Sequence, residues 1–194
     1  MRTHTGRLVL SLATAWAAHA AADGGAISGK VEATPAKYLA ETVVYLDAAP
    51  GGHAPRTHQM DQQGLKFSPH LLVITQGDTV RFLNHDTVAH NVYSPDGDAY
   101  NLGSFKGGEE RTRTFSTPGA YAQLCSIHPE MLGYVFVGPS PYAAAVDDQG
   151  RYELRDVPSG TYQLRVWNAH LPAISRSVTV PAGGKATVDL ALHR

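Results

Sequence analysis

Apolar and polar residues alternate along much of this chain. Ile27-Ser28-Gly29-Lys30-Val31-Glu32, Thr79 to Asn84, Ser175 to Val180 and Ala186 to Leu192 each switch with a period of two. That is the pattern of a half-buried strand. Thr42 to Leu46, Arg111 to Phe115, Arg151 to Leu154 and Thr161 to Trp167 are rich in β-formers. Turn residues punctuate these runs at Gln76-Gly77-Asp78, Ser94 to Asp98, Lys106 to Glu110, Thr117-Pro118-Gly119, Asp147 to Gly150, Val157 to Gly160 and Pro181 to Gly184. Thr114 to Leu124 reads as one strand and Gly133 to Val137 as another. No helical period is evident, so the predicted class is all-β. Two stretches rich in Pro and Gly, Ala49 to Pro55 and Gly138 to Pro141, read as linkers.

Length and composition narrow the picture. The 194 residues allow one large or two small domains, and 43% hydrophobic content supports a packed core. A formal net charge of −1 argues against a nucleic-acid partner. After the first twenty residues, no segment has the roughly 18 uninterrupted apolar residues of a membrane helix. Arg2 and Arg7 precede an apolar run, Leu8 to Ala18, and the small-residue pattern Ala18-His19-Ala20. That order predicts a signal peptide, residues 1–20, cleaved near Ala20, and therefore a periplasmic protein.

An exported chain with a single cysteine cannot close an internal disulfide, so Cys125 asks for another role. It opens Cys125-Ser126-Ile127-His128-Pro129-Glu130-Met131. Thiolate, imidazole and thioether in one short loop suit copper, and a blue-copper centre needs one more imidazole. His90, beside a strand-like segment, is the candidate. The predicted metal ligands are thus His90, Cys125, His128 and Met131. Structural zinc would find a methionine an odd fourth ligand. His53, His58 and Met60 offer a weaker second metal site, although they read more naturally as exposed loop residues. The C-terminal half has no clustered ligands and reads as scaffold or docking surface.

Residues 57–138 resemble a cupredoxin of the amicyanin and plastocyanin group. The resemblance rests on Gly77-Asp78-Thr79-Val80 with Asn84, His90-Asn91-Val92, Pro118-Gly119-Ala120-Tyr121 and Cys125-x2-His128-x2-Met131. It implies an eight-stranded Greek-key barrel holding one type 1 copper. It also implies that Asn91 ties the two ligand loops together near Ser126. Residues 26–48 and 141–194 resemble a carboxypeptidase-regulatory, transthyretin-like β-sandwich, smaller than the barrel, on Gly29-Lys30-Val31, Val44-Tyr45-Leu46 and Gly150-Arg151-Tyr152-x4-Val157-Pro158. The cupredoxin would then be inserted into that sandwich. The whole chain is similar to bacterial periplasmic proteins labelled methylamine-utilisation proteins.

These readings lead to one principal expectation: a periplasmic carrier of single electrons. Its redox partner, dehydrogenase or cytochrome-like, would bind weakly and transiently. His128 would be the exit for the electron, with Pro129 and Leu132 in the surrounding patch. The alternative is a copper-handling protein, buffer or chaperone, without a redox role. Enzyme activity is not expected, because Leu124 and Ser126 stand where multicopper enzymes flank the cysteine with histidines.

Overall fold

The computed structural model describes residues 24–194, so the proposed signal peptide lies outside the described residues. The described chain opens with β1 (Gly25–Thr34), a short 3-10 helix (Ala36–Glu41) and β2 (Thr42–Leu46). Then come β3 (Thr57–Gln62), β4 (Phe67–Ser68), β5 (Leu71–Thr75), β6 (Thr79–Asn84), β7 (His90–Ser94), β8 (Tyr100–Phe105), β9 (Glu110–Thr114), β10 (Gly119–Leu124) and β11 (Leu132–Gly138). The last third holds β12 (Ala143–Ala145), β13 (Arg151–Val157), β14 (Gly160–Asn168), β15 (Ile174–Val180), β16 (Lys185–Thr187) and β17 (Leu190–His193).

Strand pairing sorts these elements into two groups. In the middle of the chain, one sheet has the order β5-β11-β10-β7-β8 and another the order β4-β3-β6-β9. Met60, Val80 and Phe82 from one sheet meet Ile74, Val92, Tyr121, Val135 and Val137 from the other in a single buried core. The flanks pair with each other. β1 pairs with β13, β16 and β17, while β2 sits between β12 and β14, with β15 beyond β14. A second core containing Ile27, Val31, Val44, Leu46, Leu154, Leu164, Val166 and Leu192 lies between those sheets.

The all-β class stands, as two groups of packed sheets, and four details differ from the sequence reading. His58 and Met60 lie on a strand, β3, not in an exposed loop. The run Thr114 to Leu124 is broken into β9 and β10, because Pro118 has no amide proton for a ladder. β8 went unread because its residues, Tyr-Asn-Leu-Gly-Ser-Phe, are mostly polar or partly exposed at a sheet edge. The 3-10 helix is one short piece with no buried residue, so it leaves no apolar periodicity.

Candidate metal centre

The antiparallel pair β10–β11 closes with Leu124 opposite Leu132, which leaves residues 125–131 as the connecting loop. Leu124 also pairs with Tyr93 on β7, so the strand that begins at His90 lies alongside this loop. His90 is the first residue of β7, and a shaped loop delivers it. Asn84, at the end of β6, donates from Nδ2 to the carbonyls of Val88 (2.9 Å) and Phe105 (3.1 Å), and its Oδ1 accepts the Asp86 amide (2.9 Å). Gly107 lets the β8–β9 turn come against this loop; a Cβ there would sit 2.2 Å from the Asp86 carbonyl.

Asp86 sets the protonation pattern of His90. Its carboxylate accepts the amides of Gly64 (2.7 Å) and Leu65 (3.0 Å) and the Nε2–H of His90 (2.8 Å). The Leu65 and Gly64 hydrogen bonds, then His90, hold its pKa below the ordinary aspartate value. An ionised carboxylate only accepts, so the imidazole proton stays on Nε2 and the Nδ1 lone pair is free. That Nδ1 lies 3.1 Å from Nδ1 of His128. Nδ1 of His128 in turn lies 3.9 Å from the Cys125 sulfur. One donor atom each from His90, Cys125 and His128 fall within 4.8 Å of one another.

The surroundings support this set. The Asn91 amide donates to the Cys125 sulfur at 3.3 Å. The Asn91 side chain accepts both the amide (3.3 Å) and the hydroxyl (3.0 Å) of Ser126, and donates to Asn101 Oδ1 at 2.8 Å. The expected tie between the two ligand loops is therefore present. Met131 is buried in the same apolar cluster as Cys125, and its amide donates to the His128 carbonyl at 3.0 Å, tightening the loop. His90 and Cys125 are buried, whereas His128 is half-buried. A soft sulfur, two imidazole lone pairs and a buried thioether are the donors copper takes.

Residues 55–138 match the family of copper binding proteins described as the plastocyanin/azurin family. The chain carries a cupredoxin domain. Residues 140–188 match a different domain, described as polysaccharide lyase family 4, domain II. Among solved structures, the chain is similar to an amicyanin mutant in its Cu(I) form (28% identity, covering 42% of this chain and 81% of that one, TM-score 0.40). It is also similar to a purple cupredoxin from Nitrosopumilus maritimus (30% identity, 41% of this chain, 98% of that one, TM-score 0.38). A copper-containing nitrite reductase from Thermus scotoductus is 30% identical over 48% of this chain and 25% of its own length (TM-score 0.41).

Asp86 was not singled out in the sequence. Its only trace is a carboxylate four residues before a ligand candidate, and outside a helix that spacing carries no geometry. The second candidate group is not assembled. Met60 is buried in the cupredoxin core. His53 and His58 instead hold the two oxygens of Asp78, at 2.6 and 2.9 Å, and the Arg56 and Thr75 amides take the remaining lone pairs of this buried carboxylate, which leaves it no open face for an ion.

Proposed function

We propose that His90, Cys125, His128 and Met131 hold one type 1 copper, and that the protein carries single electrons between redox proteins in the periplasm. The observation that carries this reading is the preset donor set. The His90 tautomer is held by Asp86, the sulfur is held by the Asn91 amide, and the loop is held by Ser126 on Asn91. Donors already in position need little rearrangement when charge changes, which favours fast electron exchange. When bound, copper supplies the one-electron couple. Cys125 serves as thiolate, because metal ligation deprotonates a thiol.

The surface at this end fits a partner. Among the described residues, the exposed large hydrophobics are Leu65 (39%), Val88 (45%) and Ile127 (46%). Leu65 donates its amide to the Asp86 carboxylate, Val88 is two residues before His90, and Ile127 precedes His128. Single exposed apolar residues on the loops that carry or brace His90 and His128 would suit a small, transient interface with a dehydrogenase or cytochrome-like protein. Pro129, next to His128, is exposed as well, whereas Leu132 is half-buried and offers less surface than Ile127. We read the protein as a carrier and not an enzyme, since Leu124 and Ser126 flank Cys125 where wiring to a second copper centre would need histidines.

The test is to add Cu(II) to the purified apo-protein and record its visible spectrum. An intense blue or violet thiolate-to-copper band at one equivalent is expected, absent in Cys125→Ala and largely lost in His90→Ala. An unchanged band in Cys125→Ala would overturn the assignment. Release of the copper to acceptor proteins without electron exchange would favour the copper-handling role.

A further inference from the structure

A second cluster of metal-binding side chains sits where the cupredoxin domain meets the flanking β-unit. Glu41, the last residue of the 3-10 helix, lies between two histidines from different parts of the chain. His70, just before β5, places Nε2 2.9 Å from Glu41 Oε1. His170, in the loop after β14, places Nε2 2.5 Å from Glu41 Oε2. One carboxylate is thus clasped by an imidazole on either oxygen. We propose that Glu41, His70 and His170 form a site for a zinc-like divalent cation that joins the two parts of the molecule.

The framework holding these side chains is ordered around one buried residue, Asn168. Its Oδ1 accepts the amides of His170 (2.8 Å) and Leu171 (2.9 Å), and its Nδ2 donates to the Tyr38 carbonyl (2.7 Å) and Thr42 hydroxyl (2.8 Å). The Ala169 amide donates to the Glu41 carbonyl at 3.2 Å. The loop bearing His170 is therefore locked to the segment bearing Glu41. The His170 ring stacks on Tyr38 at 4.4 Å, and the His70 ring meets Tyr134 edge-on at 5.6 Å. The His70 carbonyl accepts the Tyr134 amide at 2.7 Å, fixing that residue to β11.

Two imidazoles and one carboxylate, with water in the fourth position, are a donor set that zinc accepts. The side chains are accessible, His70 being 46% exposed, His170 36% and Glu41 18%. The imidazoles rest on opposite oxygens, and among the described residues only His90, Cys125 and His128 have donor atoms gathered within 4.8 Å. Binding an ion therefore requires the two rings, both partly exposed, to swing off their separate oxygens until both nitrogens face one point beside the carboxylate. Each neutral imidazole moves its proton from Nε2 to Nδ1 as it ligates, so no proton is released and no electron is transferred.

The test uses the full mature chain, preloaded with one equivalent of copper and kept reduced so that Cys125 is occupied. Equilibrium dialysis against Zn(II) should show one further equivalent bound, with a rise in thermal midpoint. Glu41→Gln, His70→Ala and His170→Ala should each weaken that binding at least tenfold, and His53→Ala should leave it unchanged. Glu41→Gln keeps the size of the side chain and one acceptor oxygen, and its amide can donate to the other imidazole in its alternative tautomer, so a fold defect is not its expected effect. No zinc above the copper-loaded baseline, or equal zinc binding in all variants, would show a hydrogen-bonded bridge only and overturn the proposal. Zinc entering at Cys125 would appear as an equivalent insensitive to all of these changes, which separates failure of the copper reading from failure of this one.

Discussion

Asp78 shows how one buried charge is held. It is almost wholly buried, and burial alone would raise its pKa. Hydrogen bonds from His53, the Thr75 and Arg56 amides and His58 outweigh that and bring it down to about 2. A depressed aspartate contributes stability above its unfolded pKa and loses it as pH falls toward the folded one. The wild type should therefore lose about 2 kcal/mol between pH 4 and pH 2 that Asp78→Asn does not lose, seen in denaturant midpoints. Equal acid slopes for the two proteins would refute this. The same residue ties the linker through His53 to the cupredoxin domain, so residues of Ala49 to Pro55 are not free chain.

At the scale of the element, the turn between β3 and β4 is strained where it faces the copper end. Leu65 adopts φ 57°, a left-handed conformation that costs a branched side chain about 1 kcal/mol or more. We propose that this strained, exposed side chain next to Asp86 is part of the docking surface. Leu65→Gly should raise stability by about 0.5–1 kcal/mol by calorimetry, since relieved strain exceeds the extra freedom of the unfolded chain. The same change should slow electron exchange with a protein partner. On the ligand loop, Ile127→Lys should slow that exchange severalfold in stopped-flow while leaving the visible spectrum nearly intact. A spectrum altered as much as the rate would place Ile127 in the copper cage and not on its rim.

At the scale of the molecule, β11 joins the two β-units. Val135 and Val137 point into the cupredoxin core. Tyr134 and Phe136 occupy the other face, where Phe136 lies 4.9 Å from Tyr45 and 5.6 Å from Trp167, and Tyr134 lies 5.6 Å from Trp167. β1 and β2 pair with strands from the C-terminal third and with none between β3 and β11. We propose that the cupredoxin domain is inserted into the flanking β-unit. Residues 57–138 alone should then bind copper but self-associate through the uncovered Tyr134 and Phe136, measured by analytical ultracentrifugation. Residues 21–56 joined to 139–194 should unfold cooperatively in denaturant. Joined flanks that stay unfolded while 21–138 is stable would rule the insertion out.

The all-β class was legible in the sequence because strand periodicity, Gly/Pro punctuation and β-branched runs are local properties. The proposed copper donors of the loop could be picked out for the same reason: Cys125, His128 and Met131 lie within one short connection between strands. His90 could be nominated only as an imidazole beside another strand-like segment, since it lies 35 positions before Cys125 in sequence and only the β7–β10 pairing closes that gap. Other features had no local trace. Tyr134-Val135-Phe136-Val137 reads as an apolar run, but its two burial partners come from opposite sides and from separate parts of the chain. Asp86 beneath His90, Asp78 between His53 and His58, and Glu41 between His70 and His170 are long-range or loop-dependent pairings of polar side chains. Hydrophobic periodicity says which face of a strand is buried; it carries no information on which distant carboxylate meets which imidazole. Tertiary packing made those choices, because buried polar groups must find partners wherever the fold brings them together.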